Sequence, residues 1–291
     1  MIQDIYPHKL KNQFVPGKKP CEDSYVMVFR DNEVLMAEDE HSAAFPRLRD
    51  FRLSGTQRDS LRYLFAIDDT DCFMLAGDAF DPDGKAGAED PELPAGFAFR
   101  SADKLRRMDI APRENLFLEF TGHQLYRWYR DNRFCGTCGS RTEHSRTERA
   151  VVCTSCGRTI YPRILPAVIV GVLNGDRILM TKYADRPLAF YALVAGFTEI
   201  GETLEETVQR EVMEEVGLRV KNIRYYKSQP WGVVDDILMG FYCDVDGDDT
   251  IRIDRQELKE GQWFRREDVH LQPTDFSLTN EMMREFKEGR Q

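Results

Sequence analysis

The sequence predicts an α/β protein: a mostly β N-terminal region, a four-cysteine segment, and a C-terminal mixed sheet accompanied by helices. Three observations carry this. Short apolar runs separated by turn residues fill the first hundred positions. Two Cys-x-x-Cys pairs lie between 135 and 156. An apolar hairpin over 166–180 is followed by a glycine-marked loop and an acidic amphipathic helix. The chain has 291 residues, 42% hydrophobic and 31% charged, which suits one large or two modest domains and a real core. The expected division is 1–114 (mostly β), 115–164 (a helix plus the cysteine segment) and 165–291 (the sheet and its helices).

Ser24–Phe29 reads as a strand, Asp31-Asn32-Glu33 as its turn and Val34-Leu35-Met36 as the return. Arg62–Ile67 and Cys72–Leu75, joined through Asp68-Asp69-Thr70-Asp71, read as a second hairpin. Asp81–Pro94 is rich in Asp, Gly, Pro and Ala and is expected to be an exposed loop. Ser101–Asn132 reads as helical with a break at Pro112, and Phe117, Phe120, Leu125, Trp128 and Tyr129 as its core-facing stripe. Pro166–Leu173, the turn Asn174-Gly175-Asp176 and Arg177–Met180 open the sheet, and a last helix is expected near Asn280–Glu288.

Asp plus Glu outnumber Lys plus Arg by 50 to 40, a net charge of −10. A generic electrostatic grip on nucleic acid needs the opposite balance. A phosphorylated small molecule remains compatible if a local cation handles its phosphates. No stretch reaches the roughly 18 consecutive apolar residues of a spanning helix, so no membrane partner is expected. No secretory pattern is visible at the N-terminus, and the seven cysteines are an odd number, so a cytoplasmic location is expected, with metal rather than disulfides using the cysteine pairs.

Cys135 and Cys138 are separated by fourteen residues from Cys153 and Cys156. Four thiolates at this ribbon spacing make a closed tetrahedral site for structural Zn²⁺, with Gly136, Gly139 and Gly157 expected to ease the knuckles. The competing reading, buried free thiols or a redox dithiol, leaves two paired motifs unexplained. Zinc ribbons also bind nucleic acid, and Arg133, Arg141, Arg146, Arg149, Arg158 and Arg163 make this one moderately basic.

The most informative stretch runs from Gly196 to Leu218. Thr203 is placed to cap a helix with Glu206 at its third position, and Gly217 to stop it. On that helix Glu211 and Glu215 project roughly 40° apart with Glu214 beside them. Leu204, Val208, Val212 and Val216 form the neighbouring apolar arc, so the carboxylates border the buried face. Clustered like charges there call for a hard divalent cation, Mg²⁺ or Mn²⁺, which in turn binds phosphates. An exposed acidic helix is the bland alternative for a bare Glu-x-x-Glu-Glu.

The complete spacing decides between them. Gly196, five residues, Glu202, seven residues, then Arg210-Glu211-Val212-Met213-Glu214-Glu215-Val216-Gly217-Leu218 resembles the Nudix box at every defined position. The resemblance implies an α/β/α sandwich and metal-dependent hydrolysis of a nucleoside diphosphate linked to another group. It makes Glu211, Glu214 and Glu215 the metal ligands, with Glu215 or a neighbour positioning the attacking water, and pairs Arg210 with Glu202. The preceding cysteine ribbon, Tyr161-Pro162-Arg163 and Ser228-Gln229-Pro230-Trp231 together resemble the zinc-containing NAD(H) diphosphatases over about residues 115–291. That subfamily cuts NADH or NAD⁺ to AMP and nicotinamide mononucleotide. The resemblance adds Glu257 to the metal site, with Glu260 nearby, and implies a homodimer. Phe197, Tyr161 and Trp231 offer ring faces for a base, Gln229 a hydrogen-bonding amide, and Glu199 a further substrate contact. After Trp231 the subfamily's Pro-Phe-Pro-x-Ser is replaced by Gly232-Val233-Val234-Asp235-Asp236, and its Ser-Ile-Ala by Ser277-Leu278-Thr279.

The leading expectation is therefore an NAD(H) diphosphatase with a small dinucleotide substrate. Rival readings keep the chemistry but act on ADP-ribose, a dinucleoside polyphosphate or NAD-capped RNA, or make the protein a non-catalytic nucleotide-sensing module.

Overall fold

The structure, a computed structural model, describes residues 1–75, 92–108, 110–184 and 190–291. Most of the loop expected over 81–94 lies outside the described residues. Two units are distinguished: Asp4–Arg163 with Gly232–Val234, and Met1–Gln3 with Ile164–Trp231 and Asp235–Gln291.

In the first of these, β1 (Leu10–Lys11), β2 (Tyr25–Met27), β3 (Phe29–Arg30) and β4 (Glu33–Ala37) precede a one-turn helix, α1 (Gly55–Asp59). Then come β5 (Leu61–Ile67), β6 (Thr70–Leu75), β7 (Phe97–Ser101), α2 (Ala102–Leu105) and α3 (Arg113–Asp131). The strands form two sheets, β1-β5-β6-β2 and β3-β4-β7. Both expected hairpins are present, β3–β4 turning at Asp31 and β5–β6 at Asp68. The single strand expected over Ser24–Phe29 is instead two. The chain breaks at Val28, β2 pairing parallel with β6 while β3 pairs with β4 in the other sheet. Val26, Met27, Val28 and Phe29 are all buried, so the run has no polar face to hold it in one register. Pro112 caps α3, and Phe117, Phe120, Leu125, Trp128 and Tyr129 are buried, as the stripe predicts. The unit ends in a small antiparallel ribbon of β8 (Thr142–His144), β9 (Val151–Cys153) and β10 (Thr159–Ile160), with β9 central.

The second unit is built on β11 (Leu165–Asn174). It turns at Gly175 into β12 (Arg177–Tyr183), and β13 (Val194–Phe197) leads to α4 (Leu204–Val216). β14 (Val220–Trp231), β15 (Asp236–Val245), β16 (Leu258–Arg265) and α5 (Leu278–Lys287) complete it. The sheet order is β14-β15-β11-β12-β16, with β13 also on β11. It is mixed, since β11 and β15 run parallel and the other pairs antiparallel. β11 is buried on both sides, and alternation divides its residues between them. Val168, Val170 and Val172 meet Val208, Val212 and Val216 of α4. Ile169 and Leu173 meet Leu278, Met282, Met283 and Phe286 of α5. The result is an α/β/α sandwich. Each fully buried valine on α4 contributes about 1.5 kcal/mol or more, which fixes the rotation of the helix and hence of its carboxylates.

Among the described residues no helix is long and apolar enough to cross a membrane.

Candidate active site

The capping of α4 follows the sequence closely. Glu206 donates its backbone N–H to Thr203 Oγ1 at 3.2 Å, and Thr203 donates its own to Glu206 Oε2 at 2.7 Å. Gly217 closes the helix in the left-handed region at φ 69°, a conformation costly for a side chain-bearing residue. The loop from Gly196 and the helix are then held together by Arg210.

Arg210 uses all five guanidinium donors. Nε donates to Glu202 Oε1 at 2.6 Å and Nη2 to Glu202 Oε2 at 3.0 Å. Nη2 also reaches the Phe197 carbonyl at 2.8 Å. Nη1 donates to Glu211 Oε1 at 2.7 Å and to Glu214 Oε2 at 3.0 Å. Glu202 further accepts from the Glu199 N–H and the Thr207 hydroxyl. The Arg210 guanidinium, helped by these donors, holds the Glu202 carboxyl down at about 2. The loop–helix clasp therefore stays charged through the whole range in which the protein is handled.

Glu211 is half-buried, and its carboxyl sits directly over Gly196. A Cβ added at Gly196 would lie 2.0 Å from the Glu211 Cδ. Burial pushes the Glu211 carboxyl above its usual range, Arg210 opposes this, and the nearby charges of Glu214 and Glu257 add to the rise. Glu215 is buried, at 2% exposure, whereas Glu214 and Glu257 are exposed. Glu257 is near enough for its charge to act on Glu211, but among the described residues the carboxylates of Glu211, Glu214, Glu215 and Glu257 do not converge as a ligand cluster. Glu260, the nearby alternative, is engaged otherwise: its Oε2 accepts from the Tyr191 hydroxyl at 2.8 Å and pairs with Lys182 at 3.1 Å.

The residues expected to contact substrate are scattered differently. Phe197 is 49% exposed beside the clasp, and Glu199 is exposed, its backbone N–H already serving Glu202. Trp231 is half-buried with its ring stacked on Phe276 at 6.3 Å. Tyr161 lies in the other unit, exposed, with its hydroxyl 3.2 Å from both oxygens of Glu148. Gln229 requires a correction. It is fully buried, its amide donates to Gln3 Oε1 and the Phe276 carbonyl, and its oxygen accepts from the Leu278 N–H at the start of α5. In this structure it ties β14 to α5 and has nothing left for a ring edge. The role of Gly196 was not read from the sequence beyond marking a loop; its closeness to a carboxylate was the missed signal.

The altered stretch after Trp231 has a steric reason. A Cβ at Gly232 would stand 2.3 Å from the Phe120 carbonyl oxygen, so proline has no room there. Arg127 donates to the Gly232 carbonyl. Further on, Asp236 is buried and its carboxyl is pushed up to about 7 by desolvation, with Asp235 adding to the rise. Its native form thus retains a proton that the unfolded chain releases near pH 4. Stability contributed by that proton is present at low pH and lost as pH rises through 7. Asp236→Asn is expected to leave stability unchanged near pH 4 and raise it at pH 8 by on the order of 2 kcal/mol, or roughly 4–8 °C in Tm. Equal thermal shifts at both pH values would contradict this.

The four cysteines form the tightest donor cluster. Their sulfurs all lie within 4.8 Å of one another, the one such group of potential ligands among the described residues. Cys135 and Cys156 Sγ are 3.7 Å apart, and Cys138 and Cys153 Sγ 3.4 Å. Tetrahedral coordination at about 2.3 Å places sulfurs about 3.8 Å apart, so the set fits zinc with no open position. Thr137 donates its N–H to Cys135 Sγ, and Ser155 and Cys156 donate theirs to Cys153 Sγ. Gly139 and Gly157 take left-handed φ at the knuckles, whereas Gly136 does not.

A sandwich of this kind, with an arginine-clasped glycine loop and a carboxylate-bearing helix, joined to a four-cysteine zinc ribbon, defines a Nudix protein with a ribbon. Residues 163–286 match the NUDIX domain, and residues 130–161 match the NADH pyrophosphatase zinc ribbon domain. The chain thus carries a Nudix domain preceded by a zinc ribbon of the NADH pyrophosphatase type. Over 152 residues, 52% of this chain, it is 43% identical to proteins called NAD-capped RNA hydrolase NudC from Enterobacter sp. (strain 638) and Erwinia tasmaniensis. The matched region spans 58% of the length of each of those relatives. A solved NUDIX hydrolase from Nitrosomonas europaea overlaps 54% of this chain and 91% of its own at 23% identity and a TM-score of 0.47.

Proposed function

We propose that the protein hydrolyses the diphosphate bond of NADH or NAD⁺ to AMP and nicotinamide mononucleotide. The observation that carries this reading is the Arg210 clasp, which gathers Glu202, Glu211 and Glu214 around one guanidinium midway along the helix that also bears Glu215. The similarity to relatives that are called NAD-capped RNA hydrolases supports the choice of a nicotinamide dinucleotide. It also keeps an RNA bearing that dinucleotide at its 5′ end as a second substrate.

In this reading Glu211, Glu214, Glu215 and Glu257 hold a Mg²⁺ or Mn²⁺ ion. The donor set fits: all are hard oxygen ligands, and Glu211 is a partly desolvated carboxylate whose charge a cation would favour. When bound, such an ion neutralises diphosphate charge and lowers the pKa of coordinated water. The chain's own residues do the rest. Arg210 fixes the loop and the helix in one geometry. Glu215 orients the water or takes its proton. The open face of Phe197 offers a stacking surface to a base, as the half-buried Trp231 does at the end of β14. We take 165–291 to be the hydrolytic part, preceded by 1–114 and 115–164, in a homodimer located in the cytoplasm.

The test is a substrate panel. Purified protein with Mg²⁺ or Mn²⁺ is given NADH, NAD⁺, ADP-ribose and diadenosine polyphosphates separately, and products are separated by chromatography. Preferential release of AMP and nicotinamide mononucleotide is expected. Preference for ADP-ribose or a dinucleoside polyphosphate would refute the substrate assignment, and absence of any cleavage would favour a nucleotide-sensing module.

A further inference from the structure

We infer that a pocket beside α3 binds a small organic ammonium ion. At its centre is a carboxylate with one oxygen to spare. Glu119 and His123 lie one turn apart on α3, and both are buried, at 0% and 2% exposure. Glu119 Oε1 is 2.9 Å from His123 Nδ1. His123 Nε2 is 2.9 Å from the Asp31 carbonyl oxygen, which can only accept, so Nε2 carries a hydrogen. The imidazole is held in place against the rings of Phe29 and Tyr126. Wherever the hydrogen between Nδ1 and Oε1 resides, Glu119 Oε2 is left as an acceptor. That oxygen is enclosed, and no donor among the described residues bonds it. A buried acceptor without a donor is costly, more so on a carboxylate.

Glu119 lines a pocket whose walls all belong to the first unit. Its empty volume is about 250 Å³, part of it open to solvent, which suits a molecule of a few heavy atoms. The side-chain donors around it are directed to the chain's own acceptors. His123 serves the Asp31 carbonyl, Asn32 Nδ2 serves Asp103 Oδ2 at 2.8 Å, and Arg127 serves the Gly232 carbonyl. The pocket therefore calls for an occupant that donates. An anion would meet the carboxylates of Glu119 and Asp103, whereas a cation is drawn to them. A bare divalent ion has too few ligands here. The four cysteines are the one group of three or more convergent metal donors among the described residues. Ala102 and Val233 supply carbon to the lining. An ammonium group on a short alkyl chain meets each of these conditions: N–H for Glu119 Oε2, positive charge for the two carboxylates, and a methyl or methylene group for the apolar wall. The occupant lies against Gly232 and Val233, the stretch that departs from the subfamily pattern after Trp231.

The experiment uses methylammonium as the probe. Saturation-transfer NMR follows its methyl signal in the presence of the full-length zinc-loaded protein, a readout suited to weak ligands. Wild type is expected to transfer saturation to methylammonium and not to tetramethylammonium, which has the charge but no N–H. Ammonium chloride is expected to displace the probe, and potassium chloride at equal ionic strength to leave it bound. Glu119→Gln should reduce the transfer to background. Because that change touches a buried hydrogen bond, circular dichroism accompanies it, and a second variant leaves the carboxylate intact. Ala102→Leu fills the pocket from α2, a short helix where leucine is well tolerated, and should also abolish the transfer. Absence of transfer in wild type, equal transfer to tetramethylammonium, displacement by potassium, or undiminished transfer in either folded variant would each overturn the inference. None of these residues belongs to the proposed hydrolytic set, and binding is read without NADH. Turnover of NADH without amine binding removes only this inference, and amine binding without turnover removes only the hydrolysis.

Discussion

Gly196→Ala is expected to lower kcat at least a hundredfold while the protein stays folded. The added methyl group would stand 2.0 Å from Glu211 Cδ, well inside any van der Waals contact. Gly196 lies in β13, paired across to Val168, so the strand cannot retreat without breaking the sheet. The side chain of Glu211 is the part that yields. Displacing it by about 1 Å or more moves a proposed metal ligand away from the reacting diphosphate, a displacement that costs on the order of a hundredfold in rate. It also pulls on Arg210, which donates to Glu211 at 2.7 Å and to Glu202 on the loop. Steady-state kinetics with a saturating divalent cation, alongside circular dichroism, would check this. Wild-type turnover in the variant would show that Glu211 is not where the chemistry happens.

Removing zinc from the ribbon is expected to have the largest effect on folding. Structural zinc sites contribute roughly 10–16 kcal/mol of apparent binding free energy, and a module this small has little else. Its three strands are two or three residues long, and Cys135 and Cys153 are themselves among its few buried residues. Cys153→Ser should reduce bound zinc below one equivalent and collapse hydrogen-exchange protection across 133–160. Protection in β11 and β15, whose core lies between α4 and α5, should persist. Retained protection in the ribbon without metal would contradict a structural role for zinc.

How far the sequence exposed this design depends on the range of the interaction involved. The α4 helix was legible to the residue because its start and stop are local: Thr203 with Glu206, and Gly217. The β11–β12 and β5–β6 hairpins were equally local, each closed by its own turn residues. The four cysteines were legible because zinc dictates spacing. Gln229 was not, since its burial arises from Phe276 and the start of α5, about fifty residues further along the chain. A glutamine in a strand carries no mark of whether its amide will face a ligand or a distant backbone. The break of the first apolar run at Val28 was hidden for a related reason. An all-apolar segment is equally suited to either of two sheets, and only their assembly chooses. Asp236 and Gly232 were visible as departures from a pattern, but their physical meaning came from burial and from the Phe120 carbonyl.

The central claim is that the carboxylates bordering α4 hydrolyse a nicotinamide dinucleotide. The most direct measurement follows AMP and nicotinamide mononucleotide released from NADH by the purified protein with Mg²⁺ or Mn²⁺, beside the isosteric variant Glu215→Gln. Glu215 is 2% exposed, so the amide keeps its packing while losing its charge and its capacity to take a proton. The account predicts equimolar release of both products by wild type, dependent on the added cation, and a loss of at least a thousandfold in the variant with the fold and zinc content intact. Undiminished release by Glu215→Gln, or release by wild type without any divalent cation, would contradict it.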